Sequence, residues 1–234
     1  MNFNAKDFII SENKDFVLVN KPVGMDSEHT LGEGFFPVHR LDKVASGLLL
    51  YAKNPHSAKK LSEALKEGKI KKKYHIIVES AGFRSEITNE VRPVKSTGSQ
   101  TADSQTADSP DVKALPKSGS FSDYLYKDTK KQKMFPVKKL RKGVKEAVLH
   151  YQVLEERDGL ALVDVELETG RFHQIRAQFS AHGFPLFGDG KYGSRRKGNV
   201  ALHCCTLSFP DPISGEELHF EIRDRDEEPW RKFR

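Results

Sequence analysis

A chain of 234 residues, 37% hydrophobic and 31% charged, is long enough to bury a substantial core and too polar for a bundle of membrane spans. No run approaches the roughly 18 apolar residues of a transmembrane helix, and the first ten residues lack the apolar stretch of a secretory leader. Lys and Arg exceed Asp and Glu by 39 to 33, a surplus of +6 that suits a polyanionic partner without requiring one.

Residues 16–22 read as a buried strand closed by Pro22, with Val23-Gly24-Met25 as the turn after it. Residues 26–36 carry Gly32 and Gly34 among polar side chains and form a loop. That loop leads into His39-Arg40-Leu41-Asp42 and then, through Ser46-Gly47, into an apolar strand over 48–53. A charge beside a core strand is costly unless it is paired or has chemical work, so Asp42 is either a structural carboxylate or a reactive one. Asn54-Pro55 starts a helix, with Asn as N-cap and Pro at the first helical position. Ala58, Leu61 and Leu65 follow at helical spacing, and Gly68 stands where a C-terminal glycine belongs. Lys69, Lys71, Lys72 and Lys73 then precede a strand over 74–78.

Residues 95–119 are rich in Ser, Thr, Asp and Gly and contain a tandem duplication, 100–104 repeated as 105–109. With so few apolar side chains this stretch is expected to be a mobile loop inserted in a domain whose strands continue on both sides. Residues 130–145 turn basic, with Lys130, Lys131, Lys133, Lys138, Lys139, Arg141, Lys142 and Lys145. Strands over 147–155 and 160–167 are joined across Arg157-Asp158-Gly159, a hairpin signal. Residues 173–182 read as a short helix ended by Gly183, with Ile175 and Phe179 on its inner face. Strands over 199–209 and 217–222 close the chain. The pattern implies an α+β class: a largely antiparallel central sheet with flanking helices and loops.

Several constellations have a plainer reading than the chemical one. Gly188-Asp189-Gly190-Lys191-Tyr192-Gly193 has the spacing of a dinucleotide-binding loop, but no helix opens after it, so it reads as a tight turn. Cys204 and Cys205 are the only cysteines and adjacent, which leaves only a strained vicinal disulfide. They read as core packing in a reducing cytoplasm. The nine histidines show no zinc-ligand spacing, and no metal is expected. The lysine-rich segments each adjoin an aromatic, Tyr74 or Phe135, and basic charge beside stacking surfaces suits nucleic acid. Arg171, His173 and Arg176 crowd cations at a helix start, where the macrodipole disfavours them, so they should answer to an anion. Asp42 is the candidate, and pairing with Arg176 would keep it ionised. A purely structural Arg–Asp pair remains open on this ground alone.

Taken together, the motifs resemble those of RNA pseudouridine synthases of the RluA family. They are Asn20-Lys21-Pro22-Val23-Gly24, His39-Arg40-Leu41-Asp42 with Ser46-Gly47-Leu48, Lys72-Lys73-Tyr74, Thr169 through Arg176, Gly188-Asp189 and Leu202-His203. The resemblance spans about residues 16–222. It implies isomerisation of uridine in structured RNA, rRNA or tRNA, with the base detached from C1′ and reattached through C5, without cofactor or metal. It would make Asp42 the catalytic carboxylate, attacking either C1′ or the uracil ring. Tyr74 would stack on the target base and Arg176 would pair with Asp42. Ile175 would line the base pocket and Arg40 would help fill the gap left by a flipped nucleotide. Lys73, Arg171, Lys138, Lys139, Arg141 and Lys142 are the expected RNA-binding cations.

The chain departs from the family pattern at Phe172, where Thr is usual and an N-cap hydroxyl is lost, and at Val44-Ala45. Residues 1–234 are expected to form one catalytic domain, monomeric and cytoplasmic, without the N-terminal S4 domain of many relatives. The competing readings are a catalytically idle RNA-binding or chaperone protein that keeps the fold, and a hydrolytic nucleosidase acting on free nucleosides.

Overall fold

The computed structural model describes residues 5–28, 31–80, 114–223 and 225–234. The longest apolar runs become the middle of one eleven-stranded sheet. Its strands are β1 (Ile9–Glu12), β2 (Phe16–Lys21), β3 (Phe36–Pro37), β4 (Ser46–Ala52) and β5 (Lys71–Glu79). They continue with β6 (Ser118–Asp128), β7 (Lys133–Val137), β8 (Val144–Arg157), β9 (Leu160–Leu167), β10 (Leu202–Pro210) and β11 (Glu217–Glu221). The spatial order is β1-β2-β4-β10-β5-β9-β8-β6-β7, with β11 added to β10 and β3 to β4. Among the described residues only β4 and β10 run parallel; every other pairing is antiparallel. This is the α+β architecture that the sequence implies.

Residues with the strongest β propensity and least polarity take the central positions. All seven residues of β4 are buried, and β10 and β5 beside it alternate only weakly. The parallel contact needs Gly47: its φ is +109°, and a Cβ there would overlap the Cys204 backbone. Among the described residues the α-helices are α1 (Pro55–Lys66) and α2 (Gln174–Ala181). Asn54 caps α1 by accepting the Ser57 N–H at 2.9 Å, and Gly68 follows at φ +69°, as the sequence anticipates.

Several strands are longer or shifted by a few residues relative to the sequence reading, β5 opening at Lys71 and β8 spanning Val144–Arg157, and other differences change what a segment is. Residues 118 and 119, assigned to the mobile loop, open β6 instead, and Leu115 is already buried; residues 95–113 of that loop lie outside the described residues. The basic segment is half of a β6–β7 hairpin, since Lys133–Val137 pairs with Tyr124–Asp128. β10 begins at Leu202, not 199. α2 begins at Gln174, because His173 sits at φ +48° in left-handed conformation. The hydroxyl missing at Phe172 is not replaced by a side-chain cap on residue 173. Instead the Gln174 amide oxygen accepts the Arg171 N–H at 2.9 Å and the Thr169 hydroxyl at 2.8 Å, while its NH₂ donates to the Val148 carbonyl at 3.0 Å. No helix is long and apolar enough to cross a membrane among the described residues.

Candidate active site

The loop between β3 and β4 carries Asp42, and its backbone is pinned at three points. The Ser27 hydroxyl donates to the Leu41 carbonyl at 2.8 Å and accepts the Leu41 N–H at 3.1 Å. The Gly24 N–H donates to the Lys43 carbonyl at 2.7 Å. Lys21, fully buried at the end of β2, donates its ammonium to the carbonyls of Ala45 at 2.6 Å, Pro22 at 2.9 Å and Met25 at 3.0 Å. Burial lowers the Lys21 pKa to about 8, against the pull of Asp42 and Asp26. A cation without solvent survives there because three carbonyls take the place of its hydration shell.

Held this way, Asp42 meets Arg176 of α2 across 134 residues of sequence: Nη1 donates to Oδ2 at 3.1 Å. Arg176 is itself buried, and the turn after α2 supplies its second carboxylate. Its Nε donates to Asp189 Oδ2 at 2.6 Å and its Nη2 to Asp189 Oδ1 at 2.9 Å, a bidentate pair with both residues almost solvent-free. The crowded cations at the helix start thus answer to two anions. Burial pushes the Asp42 carboxyl above the ordinary aspartate value; Arg176 opposes this most, and Lys21 adds to the opposition while Asp189 works against it.

Tyr74 lies at the centre of β5, cross-strand from Cys204 of β10, with its ring buried and its phenol held protonated by that burial. Cys204 is likewise desolvated, its thiol pushed up to about 12, so it is a packing residue and not a nucleophile. Ile175 belongs to the same core cluster as Tyr74. Arg40 points to solvent beside Glu28, 3.0 Å away.

The expected RNA-facing cations divide. Lys138, Lys139, Arg141 and Lys142 are all exposed in the β7–β8 connection. Lys127, Lys131, Lys133 and Arg141 lie over the rings of Phe172, Phe135, Tyr192 and Tyr126, so the hairpin is a basic surface backed by aromatics. Arg171 ties the start of α2 to β8 by donating to the Glu146 carbonyl at 2.9 Å. Lys73 is one residue out of phase with Tyr74 and projects from the other face of β5, 3.7 Å from Asp164. The lysine sharing the Tyr74 face is Lys72, whose pKa burial lowers.

On that opposite face, His75, Asp164 and Cys205 bring potential ligand atoms within 4.8 Å of one another, and the Lys73 ammonium already supplies positive charge there. Sequence reasoning did not single out Lys21, Asp189 or Tyr192 as site residues. Tyr192 was visible only as part of a tight turn, and Asp189 as part of that turn and of the Gly188-Asp189 motif, without a role; the turn exists, since Gly190–Tyr192 forms a short 3₁₀ segment and Gly188 at φ +76° leaves no room for a Cβ against Asn199.

Residues 15–181 match the family model described as RNA pseudouridylate synthase. Similar curated proteins include the uncharacterized RNA pseudouridine synthase YlyB of Bacillus subtilis, 32% identical over 91% of this chain and 67% of that protein. Another is ribosomal large subunit pseudouridine synthase C of Rickettsia typhi, 28% identical over 93% and 68%. Among solved structures, human RNA pseudouridylate synthase domain containing 1 superposes with a TM-score of 0.70. It covers 96% of this chain and 86% of the human one at 21% identity, a likeness of fold.

Proposed function

The chain belongs to the RNA pseudouridylate synthase family and is an isomerase, and from that premise we propose that Asp42 is its catalytic carboxylate, acting on uridine in structured RNA. The observation that carries the reading is the buried series Asp42–Arg176–Asp189. Asp189 is held through both of its oxygens. Asp42 makes one bond through Oδ2 and leaves Oδ1 uncommitted among the described residues. In the reaction the N1–C1′ bond breaks, a C5–C1′ bond forms, the C5 hydrogen leaves and N1 gains a proton, so substrate and product are isomers. Positive charge developing on the sugar is stabilised by an adjacent anion, and attack by Asp42 on C1′ or on the ring would each use that anion.

A uridine inside a helix or tight loop has to be flipped out to reach Asp42. Tyr74 and Ile175 offer the apolar surfaces against which the extruded base stacks, and Arg40, exposed at the rim, faces the RNA that it leaves. The exposed cations of the β6–β7 hairpin and the β7–β8 connection track the phosphates. Ribosomal RNA is the first substrate class to examine, since the name of the Rickettsia relative places that enzyme on the large ribosomal subunit. Residues 1–234 act as one catalytic unit in this reading, because the β3–β4 loop, β5 and α2 bring Asp42, Tyr74 and Arg176 to one site. The test is mapping of pseudouridine across all stable RNAs with and without the protein, coupled to tritium release from C5-labelled uridine RNA. Wild-type protein should restore one or more missing sites, and Asp42→Asn should bind RNA without restoring them. Full tritium release by Asp42→Asn would remove Asp42 from the chemistry, and an unchanged map would favour an idle binder.

A further inference from the structure

His173 and Tyr192 stand between the basic hairpin and Asp42. The Tyr192 hydroxyl accepts the Met134 N–H of β7 at 2.8 Å and lies 3.0 Å from His173 Nδ1. A backbone N–H can only donate, so among the described residues the acceptor in reach of the tyrosine's own proton is Nδ1. That bond leaves the imidazole proton on Nε2, and Nε2 lies 3.8 Å from Asp42 Oδ2. The ring is fixed from other directions too: Phe172 stacks on it at 3.7 Å with a 20° interplanar angle, and Lys127 of β6 lies 4.3 Å above Phe172. His173 holds a left-handed backbone at φ +48°, which a non-glycine residue keeps only when its surroundings over-determine it. Burial, with Arg176, Lys191 and Lys127 nearby, lowers its pKa to about 3. The ring is therefore neutral at working pH and offers one donor. Burial pushes Tyr192 up to about 12, so its hydroxyl keeps the proton that the relay requires.

We propose that His173 is a positioning residue for the isomerisation, its Nε2–H directed onto the Asp42 carboxylate by a relay from the β7 backbone through the Tyr192 hydroxyl. This rests on the reading of Asp42 as the catalytic carboxylate. At 3.8 Å the Nε2–H acts on the carboxylate of the free protein as a charge–dipole contact, and catalytic hydrogen bonds that are long in the free enzyme tighten when substrate binds. Through Met134, the hairpin that carries the exposed lysines is joined to the reacting group, so docking of RNA on the hairpin and alignment of Asp42 are one event. The groups facing Asp42 are Arg176 and His173 from α2 and its first turn, Asp189 and Tyr192 from the following turn, Lys21 from β2 and Tyr74 from β5.

The experiment is the pH dependence of kcat/KM for Tyr192→Phe, His173→Ala and His173→Gln. It is paired with ¹³C NMR titration of the Asp42 carboxyl in RNA-free protein. Withdrawing a donor from the ionised form moves the acid limb and the ¹³C midpoint upward in Tyr192→Phe and His173→Ala. In both, kcat falls about tenfold, the effect of one hydrogen bond to a charged group, while RNA affinity holds. His173→Gln, whose amide N–H reaches the same oxygen, restores both. The double variant Tyr192→Phe/His173→Ala loses no more than the His173→Ala single, because both act on one relay. An unmoved acid limb and ¹³C midpoint in the conservative Tyr192→Phe variant would overturn the relay, as would losses that simply add. Activity retained by Asp42→Asn would overturn the catalytic assignment on its own, with the ¹³C midpoint still deciding whether His173 addresses Asp42.

Discussion

Replacing Asp189 by Asn should unfold the site, whereas replacing Asp42 by Asn should silence it, although both carboxylates bind the same guanidinium. Asp189 is 1% exposed and accepts two bonds from an arginine that is 3% exposed. An amide of the same size offers one acceptor and turns an NH₂ toward the guanidinium, leaving a buried cation with a donor unmet. Breaking a buried pair from one side costs about 3–5 kcal/mol. Asp42 remains as a partner, so the lower end applies, and about 3 kcal/mol in a chain of this size lowers Tm by roughly 6–12 °C. Asp42→Asn differs in each respect: Arg176 keeps both Asp189 bonds, the bond given up is a single one of 3.1 Å, and burial already opposes the Asp42 charge. Removal of a charge-assisted bond of about 1.5–3 kcal/mol is offset by removal of a desolvated ion, leaving Tm near that of the wild type.

The pH dependence has a defined sign. Asp42's folded pKa lies above its unfolded one, so the native state binds the extra proton. Stability relative to Asp42→Asn is therefore highest below the ordinary aspartate value and is lost as pH rises through the folded value. Asp42→Asn should look most stable relative to wild type at neutral pH and least so in acid. Thermal unfolding followed by circular dichroism from acid to neutral pH, beside tritium release at neutral pH, reads both quantities. An Asp42→Asn protein that melts as low as Asp189→Asn would refute the division between an anchoring and a reacting carboxylate.

Lys21→Met should leave the carbonyls of Pro22, Met25 and Ala45 without their buried donor and loosen the Asp42 loop; kcat should fall more than RNA affinity, and Tm should fall as well. Unchanged kcat in a folded Lys21→Met protein would separate the loop pin from catalysis. Changing Lys138, Lys139, Arg141 and Lys142 to Gln should leave Tm alone, since all four are exposed. For every phosphate that these cations neutralise in the wild type, the slope of log K against log salt should flatten by roughly 0.7–0.9. An unchanged slope in filter binding would take the β7–β8 connection out of the RNA interface.

The parts legible in the sequence share a physical cause: their burial is local and repetitive. β2, β4, β5, the β8–β9 hairpin and α1 announce themselves through apolar runs, a capping Asn-Pro and a Gly-bearing turn. β6 is hidden because its inward row, Phe121, Asp123, Leu125, is broken by a carboxylate. Asp123 accepts from Gln178 at 2.8 Å and lies 3.2 Å from His182, and so serves α2 and not the apolar layer. β7 is hidden because Pro136 argues against a strand, and only the edge position that it occupies in the sheet tolerates one. His173 reads as the first helical residue because periodicity says nothing about the sign of φ. The Asp42–Arg176 pair was accessible through its motifs. Asp189 stood in a motif without a role and Tyr192 only in the glycine-flanked turn, because both roles depend on how that turn folds back against α2, and its spacing fits a commonplace structural bend equally well.

The charges at the site explain why a carboxylate can be both buried and available. Asp42 and Asp189 are balanced by Arg176 and Lys21, and the two cations divide the work. Arg176 gives Nε and one Nη2 hydrogen to Asp189 and one Nη1 hydrogen to Asp42. The three bonds of Lys21 are to backbone carbonyls, and its charge reaches Asp42 through space. An aspartate held by one oxygen and opposed by its own desolvation is a group whose binding capacity is only partly used, and under the proposed mechanism the unused part is the one that meets the substrate.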